Sequence, residues 1–312
     1  MTSLGIASQP AIAIELRGVT KRYGQHLAVQ DLNLTAARGE VLGFLGPNGA
    51  GKTTTIRLLT GFLRPSAGTI RLAGCDMARP DEALHARAEL GFVPDVAGLD
   101  PATTGARLLD ELARLQRRPA IDREPVREAL DLATEDLHRP IGALSRGTRQ
   151  KINLVQGLQH RPGVLILDEP TEGLDPLGKR ALFMLLQAAR RRGATIFFSS
   201  HVLSEVEELC DRVALIRGGR LIAVDHIAGL LRHTRRQITL HVEDQPIERL
   251  LAALPTVADL RYAEERWRFS VAELQPLLRL LATLPVRDVT IEPPSLADVF
   301  LQHYRPAEAD DA

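Results

Sequence analysis

The chain has 312 residues, of which 45% are hydrophobic, so it is long enough for one large core and a second, smaller one. Lysine plus arginine and aspartate plus glutamate number 39 each, and this balance argues against tight, charge-driven binding to nucleic acid or anionic lipid. The first ten residues lack the features of a signal peptide, and no apolar run approaches the roughly 18 to 20 residues that span a bilayer. We therefore expect any membrane role to act through another chain.

The first elements are two predicted strands, at residues 11–19 and 27–34, followed by an apolar run at 40–45 that predicts a third. The third strand leads into a turn with the pattern G-x-x-x-x-G-K-[ST], and a helix is predicted at 54–60. The turn consists of Gly46, Pro47, Asn48, Gly49, Ala50, Gly51, Lys52 and Thr53, with Thr54 next in the helix. Strand, turn and helix in this order indicate a nucleotide-phosphate site rather than a glycine-rich loop that binds nothing.

The residue types in this turn suit a bound triphosphate. Glycines let the backbone curl so that successive N–H groups point inward, and the helix dipole adds positive charge at the same place. Lys52 can reach the β- and γ-phosphates, and the Thr53 hydroxyl can ligate Mg²⁺. Tyr23, ahead of the turn, could stack on the nucleotide base, although a half-buried aromatic at the end of a strand is the simpler interpretation of that residue alone.

A helical block follows the phosphate turn. Asp95 comes after a short apolar strand predicted at 90–93. Amphipathic helices at 103–116 and 123–132 then interrupt the α/β pattern. We therefore expect a helical subdomain, at about residues 96–160, inserted between two strands of one sheet.

Leu144 to Thr148 precede a further helix, predicted at 149–159. Ser145 is a natural N-cap for that helix, and this local role is the simpler interpretation of the residue. The same exposed helix N-terminus could also face an anion.

Two carboxylates follow a continuous aliphatic run at residues 164–167, which is typical of a strand buried on both faces of a parallel sheet. Open α/β sheets bind ligands at the carboxyl ends of their strands, so we expect Asp168 and Glu169 to lie in the site. Asp168 could hold Mg²⁺, directly or through water. Glu169 could orient and deprotonate a water aimed at a γ-phosphate.

Further polar residues follow in the next elements. Asp175 is predicted to cap a helix, and this role accounts for the residue fully within one chain. A buried strand at 194–198 leads to His201, again at the carboxyl end of a sheet strand. Ser204 and Glu207 match a capping box for the helix that follows.

From about residue 12 to residue 225 the chain resembles the ATP-binding cassette (ABC) ATPase family. The matching features are the base-stacking Tyr23, the Walker A turn Gly46–Thr53, the signature Leu144–Thr148, the Walker B strand Val164–Asp168, the catalytic carboxylate Glu169, the D-loop Asp175 and the switch histidine His201. The resemblance implies an α/β P-loop cassette with a RecA-like core, an N-terminal antiparallel β subdomain and a helical subdomain. It also implies ATP and Mg²⁺ as ligands, and two ATP molecules sandwiched between two copies, with Ser145 and Gly147 contacting the γ-phosphate bound by the other copy.

The sequence departs from the family pattern at two places. The usual L-S-G-G-Q signature has Arg146 and Thr148 in place of one glycine and the glutamine, which leaves Ser145 and the helix N-terminus available. Asp95 stands where a Q-loop glutamine is usual, and a carboxylate there could ligate Mg²⁺ or water. Both departures resemble bacterial exporter ATPases of the daunorubicin-resistance type, whose permease is a separate chain. That likeness implies a cytoplasmic protein, peripheral on the inner face of the cell membrane.

The phosphate chemistry ends near residue 227, so we divide the sequence into an ATP-binding domain, 1–227, and an accessory domain, 228–312. The second part is predicted to run β-α-β-β-α-β, which fits a small ferredoxin-like sandwich, with a last short helix at 295–304 and an acidic tail. Tyr262 and Trp267 are expected in its core.

The leading functional hypothesis is a Mg²⁺-dependent ATPase that works as a homodimer and drives a separate membrane permease, with Lys52, Glu169 and His201 as catalytic residues. One alternative is a soluble ABC switch that acts on a ribosome or DNA, but such proteins usually fuse two cassettes or insert coiled coils, and the neutral charge makes nucleic acid an unexpected partner. Another is a regulatory module that binds ATP without hydrolysing it, which would need neither Glu169 nor His201. The sequence does not reveal the transported cargo, because the contacts with the cargo would lie in the permease.

Overall fold

In a computed structural model of the protein, residues 11–95, 99–116, 118–232, 235–242, 247–293 and 295–297 are described. The chain divides into two compact units, residues 1–225 and 226–312, at Asp225 rather than after residue 227. The helix predicted at 295–304 falls mostly outside the described residues, and the acidic tail falls entirely outside them.

The helices and strands described in the first unit are β1 (Ile12–Tyr23), β2 (His26–Ala37), β3 (Val41–Leu45), α1 (Lys52–Leu59), β4 (Ala67–Leu72), β5 (Cys75–Asp76), α2 (Pro80–Ala88), β6 (Leu90–Val93), α3 (Gly105–Gln116), α4 (Arg123–Ala129), α5 (Thr134–Leu137), α6 (Arg146–Leu158), β7 (Val164–Asp168), α7 (Pro176–Arg191), β8 (Thr195–Ser200), α8 (Leu203–Leu209), β9 (Arg212–Arg217) and β10 (Arg220–His226).

An antiparallel sheet with the order β2-β1-β4-β5 forms the N-terminal part of this unit. Both β1 and β2 are longer than predicted: β1 continues through register shifts near Val19 to the turn between Tyr23 and His26, and β2 continues to Ala37, which pairs with Ile12. Ile14 on β1 belongs to the same buried cluster as Phe44 on β3 and Ile56 on α1. The sheet also packs against the phosphate turn, because the Ala28 carbonyl of β2 lies beside Gly51.

The central sheet has the order β10-β9-β3-β8-β7-β6, and the pairs β3–β8, β3–β9, β6–β7 and β7–β8 are parallel. β3, β7 and β8 are buried along their whole length, as a sheet covered on both faces requires. Since these strands are parallel, their carboxyl ends lie at one edge of the sheet, at Leu45, Asp168 and Ser200. The segment from α3 to α6 is inserted between β6 and β7, which are neighbours in the sheet.

Several predicted helix starts differ from the structure: α1 begins at Lys52 rather than residue 54, α3 begins at Gly105 rather than residue 103, and two further differences involve a cap. α6 begins at Arg146 rather than Arg149, because the Ser145 side chain accepts the Thr148 N–H at 3.0 Å and caps the helix earlier. The capping box at Ser204 and Glu207 is wrong: the helix begins directly after Val202, which makes no side-chain cap. Ser204 consequently lies inside the first turn of α8.

The second unit contains α9 (Ile227–Arg232), β11 (Arg236–Val242), α10 (Glu248–Ala252), β12 (Val257–Ala263), β13 (Arg266–Val271), α11 (Leu274–Leu281) and β14 (Val286–Glu292). From β11 to β14 the elements follow one another as β-α-β-β-α-β, and the sheet order is β12-β13-β11-β14 with antiparallel pairing. Its core brings Ile238 and Phe269 of the sheet against Leu251 of α10 and Leu277 of α11.

The two aromatic residues expected in the second core have different environments. Trp267 is partly buried and packs against the core. The prediction for Tyr262 is wrong, because this residue is 59% exposed on β12, an edge strand, where its ring lies 4.8 Å from that of Trp267. Among the described residues, no helix combines the length and the apolar character needed to cross a bilayer.

Candidate active site

A cavity of about 500 Å³ opens at the carboxyl edge of the central sheet. Its lining brings together most of the residues selected from the sequence, namely Tyr23, Pro47, Asn48, Gly49, Gly51, Lys52, Thr53, Thr54, Asp95, Glu169 and His201. Tyr23 is the last residue of β1, as predicted, but it is exposed rather than half-buried, and it borders this cavity.

Sequence reasoning missed three further residues of the lining, His26, Ala28 and Glu172. His26 and Ala28 belong to no motif, and they reach the cavity through the pairing of β2 with β1. Glu172 could have been found from its position three residues after Glu169, in the turn that follows the buried strand β7.

The turn between β3 and α1 is held in shape by its own backbone and by a neighbouring hairpin. Gly51 has a φ of 108°, and a Cβ at this position would lie 2.7 Å from the Ala28 carbonyl oxygen, so a larger residue does not fit. The buried Ala50 donates its N–H to the Pro47 carbonyl at 3.1 Å and accepts the Gly219 N–H at 2.9 Å. The phosphate turn continues directly into α1, and the first backbone N–H groups of this helix have no acceptor within it.

Lys52, the first residue of α1, is buried with its ammonium group at the centre of the site. Its Nζ donates to the Gly46 carbonyl at 2.7 Å and lies 3.3 Å from Glu169 Oε1. This placement joins the phosphate turn to the carboxylate that follows β7.

Asp168 is 4% exposed at the end of β7, and its Oδ1 has no hydrogen-bond partner in the described part of the chain. Burial raises the pKa of this carboxyl, while the nearby Thr53 and Ser199 hydroxyls lower it and the charge of Glu169 raises it again. A buried acceptor without a partner is costly unless a ligand satisfies it. Asp168 and the Thr53 hydroxyl therefore fit Mg²⁺, which prefers oxygen ligands.

The described residues contain no group of three or more His, Cys, Asp or Glu side chains arranged to hold a metal ion. Mg²⁺ at Thr53 and Asp168 would consequently take its other ligands from phosphates and water, as is usual for this ion. Asp95 is exposed and borders both the cavity and an adjacent apolar groove that also reaches Thr53 and Asp168.

Glu169 and His201 form a close pair across the ends of β7 and β8. Glu169 Oε2 lies 2.7 Å from His201 Nδ1 and accepts the His201 N–H at 3.3 Å. Glu169 has a φ of 49°, an uncommon backbone conformation for a residue other than glycine, and it turns the chain sharply after Asp168. Such strain persists only where the surrounding structure enforces it, and it is common at functional sites.

Three residues selected from the sequence, in the signature and the D-loop, do not line this cavity. Ser145, Gly147 and Asp175 are absent from its described lining. Ser145 caps α6, and Asp175 caps α7 by accepting the Gly178 N–H at 2.7 Å. A Cβ at Gly147 would lie 2.8 Å from the Gly173 carbonyl oxygen, so glycine lets α6 pack closely on the turn after Glu169.

The departure at Arg146 is also accommodated within one chain. Its guanidinium lies 2.6 Å from the Glu172 carboxylate, and both side chains are about half exposed. Surface ion pairs of this kind contribute at most about 1 kcal/mol. Glu172 does, however, compensate a cation that lies in the first turn of a helix, where positive charge is unfavourable.

Comparison with known proteins is consistent with these features. Residues 29–172 match the family model described as ABC transporter. The Nod factor export ATP-binding protein I of Ralstonia nicotianae is 34% identical over 96% of this chain and 95% of its own length. The daunorubicin resistance ATP-binding protein DrrA3 of Streptomyces coeruleorubidus is 34% identical over 93% of this chain and 95% of its own length. A solved ATP-binding subunit of an ABC transporter superposes with a TM-score of 0.65 at 28% identity, over 70% of this chain and 92% of that one.

Proposed function

This chain belongs to the ABC transporter family of ATP-binding proteins, and we propose that it is the Mg²⁺-dependent ATPase subunit of a bacterial exporter whose permease is a separate chain. The proposal rests on one observation: a single cavity contains the glycine-rich turn, Lys52 and the Glu169–His201 pair. Export as the direction is supported by the name of the Nod factor export relative, which this chain matches over nearly its whole length.

The phosphate turn would bind the triphosphate of ATP. The amides of the first turn of α1 and the Lys52 ammonium supply the positive charge, and the Gly46 carbonyl orients Lys52. Tyr23 borders the same cavity with its ring partly exposed, so it is available to stack on the adenine. Thr53 and Asp168 would hold Mg²⁺, which when bound neutralises charge that develops on the phosphate oxygens.

Glu169 is suited to act as the general base. One of its carboxylate oxygens is oriented by the His201 ring and the other faces Lys52, so its direction is set from two sides. It would accept a proton from the attacking water, while His201 holds the carboxylate in place. Asp95, at the rim of the cavity, could contact Mg²⁺ or its water shell.

A second copy of the chain would complete the site. Ser145 is exposed at the N-terminus of α6, where the helix dipole favours an anion. Two copies that each bind ATP at the phosphate turn could present this helix, with Gly147 and the D-loop Asp175, to the nucleotide of the partner. ATP would thus close a homodimer, and hydrolysis would reopen it.

A groove in the first unit suits a protein partner such as the permease. It is lined mostly by apolar side chains, and two of them are strongly exposed: Phe62 at 71% and Leu115 at 78%. Apolar surface of this kind often marks an interaction site. Docking there would hold the protein at the cytoplasmic face of the membrane and couple movement of the α3–α6 segment to transport.

The test is ATP binding, turnover and association of purified wild-type protein and two variants. We expect Glu169→Gln to keep ATP binding, to lose about 100-fold or more of turnover, and to sediment as a dimer with Mg²⁺ and ATP, because the amide cannot accept the proton. Lys52→Ala should lose nucleotide affinity, because it removes the cation from the phosphate turn.

Glu208→Gln provides a matched control, because Glu208 is exposed on α8 outside the site. Full steady-state turnover in Glu169→Gln would refute the role given to that residue. If Glu169→Gln bound ATP but remained monomeric, the sandwich dimer would be wrong.

A further inference from the structure

A buried carboxylate that the proposed mechanism does not use lies next to the catalytic pair. Glu205, on α8, is only 5% exposed. A glutamate is almost never buried to this degree unless charged and polar partners satisfy it. Its surroundings therefore indicate what it does.

The partners of Glu205 come from three separate segments of the chain. Its Oε2 accepts hydrogen bonds from Thr171 Oγ1 at 2.8 Å and from Ser200 Oγ at 3.0 Å. Its Oε1 lies 2.9 Å from Lys179 Nζ on α7. All three groups donate to it, and one carries a positive charge.

Two of these segments carry the catalytic pair. Thr171 lies two residues after Glu169, and Ser200 immediately precedes His201. Ser200 Oγ also accepts the Val202 N–H at 2.9 Å, so the backbone is fixed on both sides of the histidine. The Glu205 carboxylate thus joins the turn after β7 to the end of β8.

A second buried contact holds the same turn from the signature helix. Gln150, on α6, donates its Nε2–H to the Pro170 carbonyl at 2.7 Å. Pro170 lies between Glu169 and Thr171, so the turn is anchored on either side of one peptide unit. Anchoring of this kind is what the strained φ of Glu169 requires.

We propose that Glu205 is a positioning residue for ATP hydrolysis, which sets the placement of Glu169 relative to His201 through Thr171 and Ser200. The inference rests on the catalytic roles proposed above for Glu169 and His201. A carboxylate accepts from all three partners at once and carries the negative charge that pairs with Lys179. An amide would lose this charge, and its NH₂ would face either Lys179 or the two hydroxyls, whose hydrogen bonds would then have to reverse direction.

The main test is the steady-state kinetics of Glu205→Gln. We expect kcat to fall about 10- to 100-fold, because a small displacement of the base relative to its orienting group has effects of this size. The KM for ATP and the affinity for nucleotide should change little, because the contacts of Glu205 described above are to Thr171, Ser200 and Lys179 and not to the phosphate turn. Glu208→Gln, on the exposed face of the same helix, should keep the wild-type kcat.

A second pair of variants keeps the inference testable if Glu205→Gln fails to fold. Thr171→Val has nearly the same shape but lacks the hydroxyl, and we expect it to lower kcat. Thr171→Ser keeps a hydroxyl donor and should have a higher kcat than Thr171→Val. In a double-mutant cycle, Glu205→Gln and Thr171→Val should together cost less than the product of their single effects, because both remove the same contact.

Three results would overturn the inference: a folded Glu205→Gln with wild-type kcat, equal kcat values for Thr171→Val and Thr171→Ser, or strictly multiplicative effects in the cycle. With a wild-type protein that hydrolyses ATP, any of them would leave the proposed function standing. A wild-type protein without turnover would overturn both.

Discussion

At the scale of single residues, the described part of the first unit buries several polar groups, and most of them have a partner that explains the burial. Lys52 pairs with Glu169, and Glu205 is surrounded by donors. Asp168 differs, since its Oδ1 has no partner among the described residues. An unsatisfied carboxylate oxygen beside a hydroxyl is the local feature that best fits a bound cation.

His160 provides a residue-scale prediction about pH. The residue is buried in the turn that follows α6, where Nε2 lies 3.2 Å from the Leu90 carbonyl oxygen and Nδ1 has no partner among the described residues. Burial lowers the pKa of this imidazole, and the hydrogen bond to Leu90 offsets the effect only in part. The native state therefore keeps His160 neutral where an unfolded chain would protonate it.

The sign of the pH effect follows from this difference. Between the lowered native pKa and about 6.5, the unfolded state binds more protons, so stability falls as the pH falls through this range. We expect the unfolding midpoint of the wild type to decrease more between pH 7 and pH 5 than that of His160→Gln. Thermal unfolding followed by circular dichroism at several pH values measures this. Parallel pH profiles for the two proteins would show that His160 does not titrate as argued.

At the scale of elements, the N-terminus of α6 has a structural role that is visible in one chain and a proposed role that needs two. Ser145 caps the helix, and this contact alone explains why a serine is there. The close approach of Gly147 to Gly173 places the same helix end against the turn that carries Glu169. A negatively charged residue can cap a helix, but it would repel a phosphate, so a change of charge at Ser145 separates the two roles.

Substitution of Ser145 by alanine or aspartate should distinguish them. Ser145→Ala removes the acceptor for the Thr148 N–H and should cost about 1 kcal/mol of stability. Ser145→Asp keeps a good cap, so its thermal midpoint should stay near the wild-type value. Its negative charge would nevertheless oppose a phosphate brought by a second copy. In a Glu169→Gln background, we expect Ser145→Asp to abolish ATP-dependent dimerisation in sedimentation experiments.

The outcome that contradicts this assignment is clear. If Ser145→Asp dimerised with ATP as well as the parent Glu169→Gln protein, the N-terminus of α6 would not face a phosphate. Ser145 would then be a helix cap only.

At the scale of the whole molecule, each compact unit has a hydrophobic core of its own. The core of the second unit is small and centres on Phe269, which is fully buried between the sheet and its helices. Trp267, the single tryptophan of the chain, packs against this core, so its fluorescence reports on the second unit alone.

Phe269→Ala should destabilise the second unit by about 3 to 5 kcal/mol, because it removes a large side chain and leaves a cavity. We expect the transition seen by Trp267 fluorescence to move to lower temperature, while the loss of ATP binding on heating stays near the wild-type temperature. Phe197→Ala, in the core of the first unit, is the matched control and should have the opposite pattern. A common shift of both signals would show that the units unfold together.

The sequence by itself determined the elements of the site that consist of contiguous residues. The turn Gly46–Thr53, the strand that ends at Asp168 and the cap at Asp175 are local patterns, so their chemistry can be recognised without a fold. The order of these motifs along the chain matches the order in ABC ATPases, and the expected family follows from that match.

Only the tertiary structure decided which side chains from distant segments meet. His26 and Ala28 reach the cavity through strand pairing, and Glu205 lies between three segments. The predicted capping box at Ser204 is wrong because the helix begins at Leu203, before that serine. The physical reason is that a sequence motif describes only residues that are close together along the chain. Burial and hydrogen-bond partners depend instead on residues far apart in the chain, and these become neighbours only when the sheets pack.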